Sequence, residues 1–188
     1  MKHLTEKQIE KIRKIPKGIE GWHFCIGGDW NYVCWNYKLS EEFIREFSDK
    51  VNWDNISRRQ NLSEEFIKEF SDKVKWHSIS HYQKLSEGFI REFSNKVNWN
   101  NIFEYQRLSK NFIKEFSDKA NWNYISTYHS LSNDFILEFY NKLNWRMLDV
   151  MNKINKNIFK KMNREQKLYM IMNYRKIWNK YNQGTLNG

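Results

Sequence analysis

Histidine and cysteine side chains are the first candidates for chemistry in this sequence, because their nitrogen and sulfur atoms bind metal ions. His77 and His81 stand four residues apart, a spacing that places both on one face of a helix. Neither belongs to an HExxH motif, and His23, Cys25 and Cys34 include no CxxC pair. We therefore expect no metal site and no cofactor, and we interpret the two cysteines as buried or idle thiols of a reducing compartment.

Carboxylates are the second candidates, since carboxyl groups act as general acids and bases in enzymes. Glutamate recurs at one spacing, at Glu46, Glu69, Glu92, Glu115 and Glu138. A lysine or arginine precedes each of the first four, which predicts ion pairs that are exposed or formed between neighbouring segments. The chain contains no GxxxxGK[ST], GxGxxG or GxSxG motif. We predict that the protein is not an enzyme and has no catalytic residues.

Tryptophan is the third recurring residue type with functional potential, because exposed indole rings stack on nucleic-acid bases. It recurs at Trp53, Trp76, Trp99, Trp122 and Trp145. These positions are as invariant as the aliphatic positions that recur with them, and this favours packing inside the protein over base stacking.

The recurrences reflect a tandem repeat of 23 residues. The stretch LSEEFIREFSDKVNWDNISRRQN begins at Leu39 and returns, with changes, at Leu62, Leu85, Leu108 and Leu131. A partial unit around Trp30 precedes these five repeats, and a degenerate unit follows them. One unit cannot bury its own large apolar side chains, so neighbouring units must stack into a continuous core.

Each unit reads as a helical hairpin. The apolar positions of its first half have the spacing of an amphipathic helix: Phe43, Ile44, Phe47 and Val51. Ser40 is the expected N-cap of this helix, and Asn52 is the expected N-cap of a shorter second helix from Trp53 to Gln60. The predicted fold is all-α, a solenoid of short helical hairpins. The alternative is a solenoid of the leucine-rich-repeat type, whose repeats of about 20–29 residues include a strand.

Three segments follow from the repeat pattern. Residues 1–38 are predicted to form an irregular N-terminal cap with a partial repeat, residues 39–152 the five tandem repeats, and residues 153–188 a degenerate repeat with a basic helical C-terminal cap. Caps are needed because the end units of a repeat array would otherwise expose their apolar faces.

The repeat unit resembles tandem repeats of uncharacterised proteins from large DNA viruses, phages and mobile elements of AT-rich hosts. The residues that carry this resemblance are LSEEFIREFSDKVNW, followed by IS and a glutamine. The resemblance covers about residues 29–152. It implies a viral or mobile-element protein that acts in the cytoplasm of a host cell. It also implies that the target is a host protein or ribonucleoprotein complex, such as the defence machinery that anti-CRISPR proteins inhibit.

Positive charge is concentrated at the C-terminus. The formal net charge is +10, yet residues 39–152 hold 16 basic and 17 acidic side chains, whereas residues 153–188 hold nine and one. The nine basic residues are Lys153, Lys156, Lys160, Lys161, Arg164, Lys167, Arg175, Lys176 and Lys180. Aromatic residues are interleaved with them, a combination that predicts contacts with RNA or DNA, or with an acidic protein surface. The alternative is a cap in which Ile154, Ile158, Phe159 and Met162 face the last repeat and the lysines only solvate it.

Some repeat positions vary freely, which is typical of a solvent-facing surface. We predict that they form a partner-binding ribbon along the solenoid. Its candidate residues are Arg58, His77, His81, Lys84, Asn100, Glu104, Arg107, Asn123 and Tyr124.

Several function classes are excluded by the sequence. The chain has no run of about 18 uncharged apolar residues and no secretory signal pattern at its N-terminus, so we expect neither a transmembrane helix nor a membrane partner. We predict a non-enzymatic binding module that inhibits or adapts a host complex through protein contacts. The alternative is a protein that binds RNA or DNA directly through residues 153–188. The pattern leaves the oligomeric state open.

Overall fold

The computed structural model describes residues 2–13 and 30–182, and their short helices recur with the 23-residue period. Each complete repeat contains two helices joined by tight turns, which confirms the all-α solenoid of helical hairpins. Contacts divide the chain into two compact units, Met1–Asn98 and Trp99–Gly188. Each unit is described separately below.

The helices described in the first unit are α1 (Glu6–Arg13), α2 (Trp30–Asn36), α3 (Glu41–Glu46), α4 (Trp53–Arg59), α5 (Glu64–Glu69), α6 (Trp76–Tyr82) and α7 (Glu87–Glu92). Two short strands, β1 (Lys2–His3) and β2 (Tyr37–Lys38), pair in parallel. Among the described residues of this unit there is no strand inside a complete repeat, so the leucine-rich-repeat alternative is wrong here. Along the unit, α2 packs on α4 and α4 packs on α6.

The helices described in the second unit are α8 (Trp99–Tyr105), α9 (Lys110–Glu115), α10 (Trp122–Tyr128), α11 (Asn133–Glu138), α12 (Trp145–Val150), α13 (Lys156–Lys161), α14 (Arg164–Asn173) and α15 (Arg175–Asn182). As in the first unit, the second helices of successive repeats pack on each other, α8 on α10 and α10 on α12. At the end of the chain α15 packs on α12, α13 and α14.

The first helix of each repeat starts at a serine cap, as predicted. The Ser40 hydroxyl accepts a hydrogen bond from the backbone N–H of Phe43, which satisfies one of the free donors at the helix start. The equivalent serines make the same bond: Ser63, Ser86, Ser109 and Ser132.

In the first four repeats the first helix is shorter than the second, which contradicts the predicted order. Helix α3 has six residues and α4 has seven. The chain leaves the helix at Phe47 and continues as a tight turn, in which the N–H of Val51 still bonds to the carbonyl of Phe47. Phe47 and Val51 therefore remain buried although they lie beyond the helix, which is why the apolar pattern overstates its length.

The second helix begins at the predicted asparagine cap in several repeats. Asn52 accepts a hydrogen bond from the N–H of Asn55, and Asn144 accepts one from the N–H of Met147. Lys75 stands at the equivalent position of α6 and provides no side-chain cap.

The recurring tryptophans join successive repeats, which confirms the packing interpretation. In the first unit the Trp53 ring lies 4.9 Å from the ring of Phe70 in the next repeat, and its Nε1 donates to the Ser48 carbonyl at 3.0 Å. In the second unit Trp145 is fully buried and its Nε1 bonds to the Tyr140 carbonyl at 2.7 Å. The indole thus fills the core and also satisfies a carbonyl of the turn before it.

A buried glutamine also bridges neighbouring repeats. The Gln60 side chain is 2% exposed and donates to the carbonyls of Cys34 and Tyr37, while it accepts from the N–H of Leu39. Gln83 repeats this arrangement one unit later. Such bonds satisfy the polar backbone at the turn where one hairpin meets the next.

The C-terminal segment is part of the core of the second unit. Ile154, Ile158, Phe159 and Met162 are buried against the last repeat, which confirms their role in a cap. Gln166 of α14 donates from Nε2 to the Leu137 carbonyl at 2.8 Å. None of the helices among the described residues is long and apolar enough to cross a membrane.

Candidate partner-binding surfaces

Lys153 was a candidate for partner contact, but its ammonium group caps a helix. Its Nζ donates to the carbonyls of Ser126, Thr127 and His129, at the C-terminal end of α10. These carbonyls lack intrahelical partners, and the partial negative charge of the helix end favours a cation there. The side chain is half-buried, and burial lowers the pKa of the Lys153 amine. Lys153 therefore holds the degenerate unit to the last repeats.

Two further basic residues form ion pairs within the chain. Lys161 lies 3.5 Å from Asp134, and Lys180 Nζ lies 2.7 Å from Asp149 Oδ1. The hydroxyl of Tyr181 donates to the same oxygen at 2.7 Å. The hydrogen bond from Lys180 is the largest influence that lowers the pKa of the Asp149 carboxyl. The Lys161 pair connects α13 to α11, and the contacts of Lys180 and Tyr181 connect α15 to α12.

The side chains of the other basic residues of the C-terminal segment are exposed and make no ion pair or hydrogen bond within the part of the chain that the structure describes. They are Lys156, Lys160, Arg164, Lys167, Arg175 and Lys176. Of the nine predicted residues, these six are the ones available to a partner.

The aromatic residues interleaved with these cations are packed instead of presented to solvent. Phe159 is 1% exposed, and the Tyr181 ring stacks on it with a centroid distance of 5.1 Å. Tyr169, Tyr174 and Trp178 are partly buried against the same core. The exposed apolar side chains of this region are aliphatic: Val150, Met151, Leu168, Ile171 and Met172. The segment thus lacks the exposed aromatic platform on which single-stranded bases stack.

In the first unit, the ribbon residues meet at a tyrosine. The guanidinium of Arg58 lies 5.9 Å from the centroid of the Tyr82 ring, and the His81 ring lies 4.0 Å from it. Arg58 also forms a loose pair with Asp54 at 3.6 Å. His77 and Lys84 are exposed.

In the second unit, two ribbon asparagines link repeats to each other. Asn100 Oδ1 accepts from Nδ2 of Asn121, and Asn123 Oδ1 accepts from Nδ2 of Asn144, the residue that caps α12. Their side chains remain exposed, yet the hydrogen bonds give them a structural role.

Tyr124 occupies a position that the ribbon hypothesis assigned to solvent, and the structure corrects this. Tyr124 is half-buried and packs against the core of the second unit. The equivalent residues Ser78 and Asn101 are 3% and 7% exposed. This position therefore faces a neighbouring helix, and its variation reflects changes in packing.

Glu104 and Arg107 do come together, in a groove of about 410 Å³ that Tyr128 and His129 also line. A hydrogen bond to the Glu104 carboxylate is the main reason that the pKa of the Tyr105 hydroxyl is raised. A carboxylate, a guanidinium and two tyrosines thus share one side of the second unit.

Three exposed tyrosines were not among the residues predicted from the sequence. Tyr82, Tyr105 and Tyr128 each end the second helix of a repeat, and their side chains are 50%, 46% and 56% exposed. Tyr82 belongs to the first unit, whereas Tyr105 and Tyr128 belong to the second unit, and we call these last two residues the tyrosine column. Its signal was visible in the sequence, because tyrosine recurs there at the repeat spacing, beside the variable positions of His81 and Glu104.

The described residues contain no group of three or more His, Cys, Asp or Glu side chains that could hold a metal ion. Cys34 is buried, whereas His23 and Cys25 lie outside the described residues.

The recurring glutamates form ion pairs between repeats, as predicted. Glu69 pairs with Arg45 at 2.8 Å and Glu138 with Lys114 at 2.5 Å, and Glu92 contacts Lys68. All six side chains are well exposed to solvent, so each pair adds little stability.

Comparisons of this chain with models of protein families, with curated proteins and with solved structures give no match.

Proposed function

We propose that the protein is a non-enzymatic repeat module that binds a host protein complex through the tyrosine column and the ribbon residues beside it. The observation that carries this proposal is the exposure of Tyr105 and Tyr128 at one repeat register of the second unit. Tyrosine offers a large apolar ring with a polar tip at low conformational cost, and it is enriched among the residues that dominate binding energy at protein interfaces.

Charged side chains beside the column supply the directional contacts that fix orientation. Glu104 and Arg107 share a groove with Tyr128 in the second unit. The resemblance of the repeats to those of viruses and mobile elements supports a partner in the host cytoplasm, and inhibition or adaptation of a defence complex follows from that context.

The test is affinity capture from host extract with the full chain and two matched variants. Tyr105→Ser combined with Tyr128→Ser removes both members of the column. The control is Tyr32→Ser, because Tyr32 is 44% exposed and belongs to α2 of the first unit, at a different position of the repeat. We expect the control to retain the captured proteins and the double variant to lose them at least about tenfold, the change that 1.4 kcal/mol produces. Equal capture by all three chains would contradict the proposal.

The second candidate function is direct binding of RNA or DNA, which six cations of α13, α14 and α15 favour, since their side chains have no partner among the described residues. Each phosphate that a cation neutralises contributes about 0.7–0.9 to the log–log slope of affinity against salt. The full chain is titrated with labelled single-stranded RNA, single-stranded DNA and duplex DNA across a salt series.

A matched pair of triple variants tests this candidate. One chain carries lysine-to-glutamine changes in the C-terminal segment, at Lys156, Lys160 and Lys167. The control chain carries the same changes at three exposed lysines of the repeats, Lys75, Lys84 and Lys110. If nucleic acid binds through the C-terminal segment, the slope of log affinity against log salt concentration should be lower in the first chain and unchanged in the control chain. Absence of binding at about 150 mM salt would remove this candidate.

A further inference from the structure

An open groove of about 640 Å³ lies in the second unit, between the end of α12 and the corner that joins α14 to α15. Val150 and Met172 line it, and their side chains are 72% and 81% exposed. Leu168 and Ile171 extend the apolar surface along α14, at 50% and 39% exposure. Exposed aliphatic side chains at positions 168, 171 and 172 form a helical stripe, and no element within residues 2–13 and 30–182 covers it.

The rim of this groove is positively charged. Arg146, Arg175 and Lys176 line it, are exposed, and make no ion pair or hydrogen bond with other described residues. The single carboxylate of the lining is Asp149, whose charge Lys180 already offsets at 2.7 Å. The groove therefore combines an apolar floor with an excess of unpaired cations.

We propose that this groove binds an acidic amphipathic helix of a protein partner. Aliphatic residues of that helix would insert between Val150 and Met172, and its carboxylates would pair with Arg146, Arg175 and Lys176. Helix-in-groove recognition uses this combination, with apolar anchors at i, i+3, i+4 and i+7 and charged residues at the border. The volume is in the range of sites that enclose several side chains. The inference rests on the proposed protein-binding function and names the chemistry of a second contact surface.

Charge and composition select this occupant over others. A second copy of the chain carries a net charge of +10, and residues 183–188 contain no acidic side chain. A nucleic acid would leave the aliphatic floor without apolar partners, since the aromatic rings of this region are packed.

The experiment measures binding of a fluorescent synthetic helix of about four turns, with leucine at i, i+3, i+4 and i+7 and glutamate elsewhere. A scrambled peptide of the same composition is the control for helical periodicity. The full chain is compared with Val150→Ser/Met172→Ser, which removes the apolar floor, and with Arg175→Gln/Lys176→Gln, which removes rim charge. Lys156→Gln/Lys160→Gln removes the same charge from α13, outside the groove.

We expect each groove variant to weaken binding of the helix about tenfold or more, and the α13 variant to change it less than about twofold. The scrambled peptide should bind at least about tenfold more weakly. Equal losses in the groove and α13 variants would overturn the proposal, because they indicate unspecific attraction. So would absence of binding in the wild-type chain.

Three further measurements exclude other occupants. The proposal is overturned if phosphatidylserine vesicles or a single-stranded DNA bind in a manner that Val150→Ser/Met172→Ser abolishes, or if sedimentation shows a dimer that this variant dissociates. The Tyr105→Ser/Tyr128→Ser chain should bind the helix as the wild type does. If the wild-type chain captures host proteins but does not bind the helix, the groove proposal alone is refuted. If the wild-type chain binds the helix but captures no host protein that the Tyr105→Ser/Tyr128→Ser chain loses, the function assigned to the column is refuted.

Discussion

At the scale of single residues, His129 stands where the first three repeats have a glutamine, and we expect this substitution to make the stability of the protein depend on pH. Gln60, Gln83 and Gln106 occupy the equivalent positions. Nε2 of His129 lies 2.7 Å from the Phe103 carbonyl, the contact that Gln83 makes to Ser57. Burial lowers the pKa of the His129 imidazole below its ordinary value of 6.5, and the nearby charge of Lys153 acts in the same direction.

The sign of the effect follows from proton uptake. As the pH falls below about 6.5, the unfolded chain binds a proton that the folded chain does not, so the free energy of unfolding decreases. We expect His129→Gln to reduce this decrease, because an amide can make the same hydrogen bond without titrating. Denaturant unfolding of both chains at several pH values between about 7.5 and 5 measures how far the free energy of unfolding decreases in each.

His77→Gln is the matched control, since this histidine is exposed in the folded chain. It should keep the pH dependence of the wild type. The burial argument fails if His129→Gln and the wild type lose stability in parallel as the pH falls.

At the scale of secondary-structure elements, the serine caps predict a graded loss of stability. Ser132 accepts the capping bond from Phe135 N–H. Ser63 caps α5 in the same way, and its hydroxyl also donates to Glu41 of the preceding repeat at 3.1 Å. Replacing a serine cap by alanine costs about 1 kcal/mol.

We therefore expect Ser132→Ala to destabilise the protein by about 1 kcal/mol and Ser63→Ala by about 0.5–1 kcal/mol more, because the second variant also loses a hydrogen bond between repeats. Chemical denaturation of the two variants measures the difference. A larger loss for Ser132→Ala would show that the bond to Glu41 adds no stability.

The same elements show how far the sequence determined the fold. The period, the helical hairpin, the Ser40 and Asn52 caps and the packed tryptophans were all predictable, because each depends on residues close in sequence or on a repeated pattern. The end of α3 was not predictable, since Phe47 and Val51 continue the apolar spacing through a turn.

The candidate surfaces were less predictable than the fold, because they depend on which residue a side chain meets. Charge counting cannot distinguish Lys153, which caps α10, from Lys156, which is unpaired. Variation between repeats likewise cannot separate exposed His77 from half-buried Tyr124. The tyrosine column was the exception, since its register could have been read from the sequence.

At the scale of the whole molecule, the basic C-terminal segment contributes to the core of the second unit. Six of its side chains are buried in the second unit: Ile154, Ile158, Phe159, Met162, Met170 and Ile177. Burial of each stabilises by about 1.5–3 kcal/mol, so together they are comparable with the total stability of about 5–15 kcal/mol that domains possess. The exposed cations of the segment contribute no such free energy of burial.

Deletion of residues 153–188 should therefore destabilise the protein severely, whereas the full chain with Lys156, Lys160 and Lys167 changed to Gln should keep its melting temperature within a few degrees. The deletion uncovers Trp145 and Leu148 and leaves the last carbonyls of α10 without Lys153. Thermal unfolding by circular dichroism, with binding of a hydrophobic dye, measures both chains. A truncated chain that melts like the wild type and binds no dye would show that the segment is dispensable for folding. If it melts early, any loss of partner binding on truncation reports unfolding, and only charge variants of the full chain can assign the cations a role in recognition.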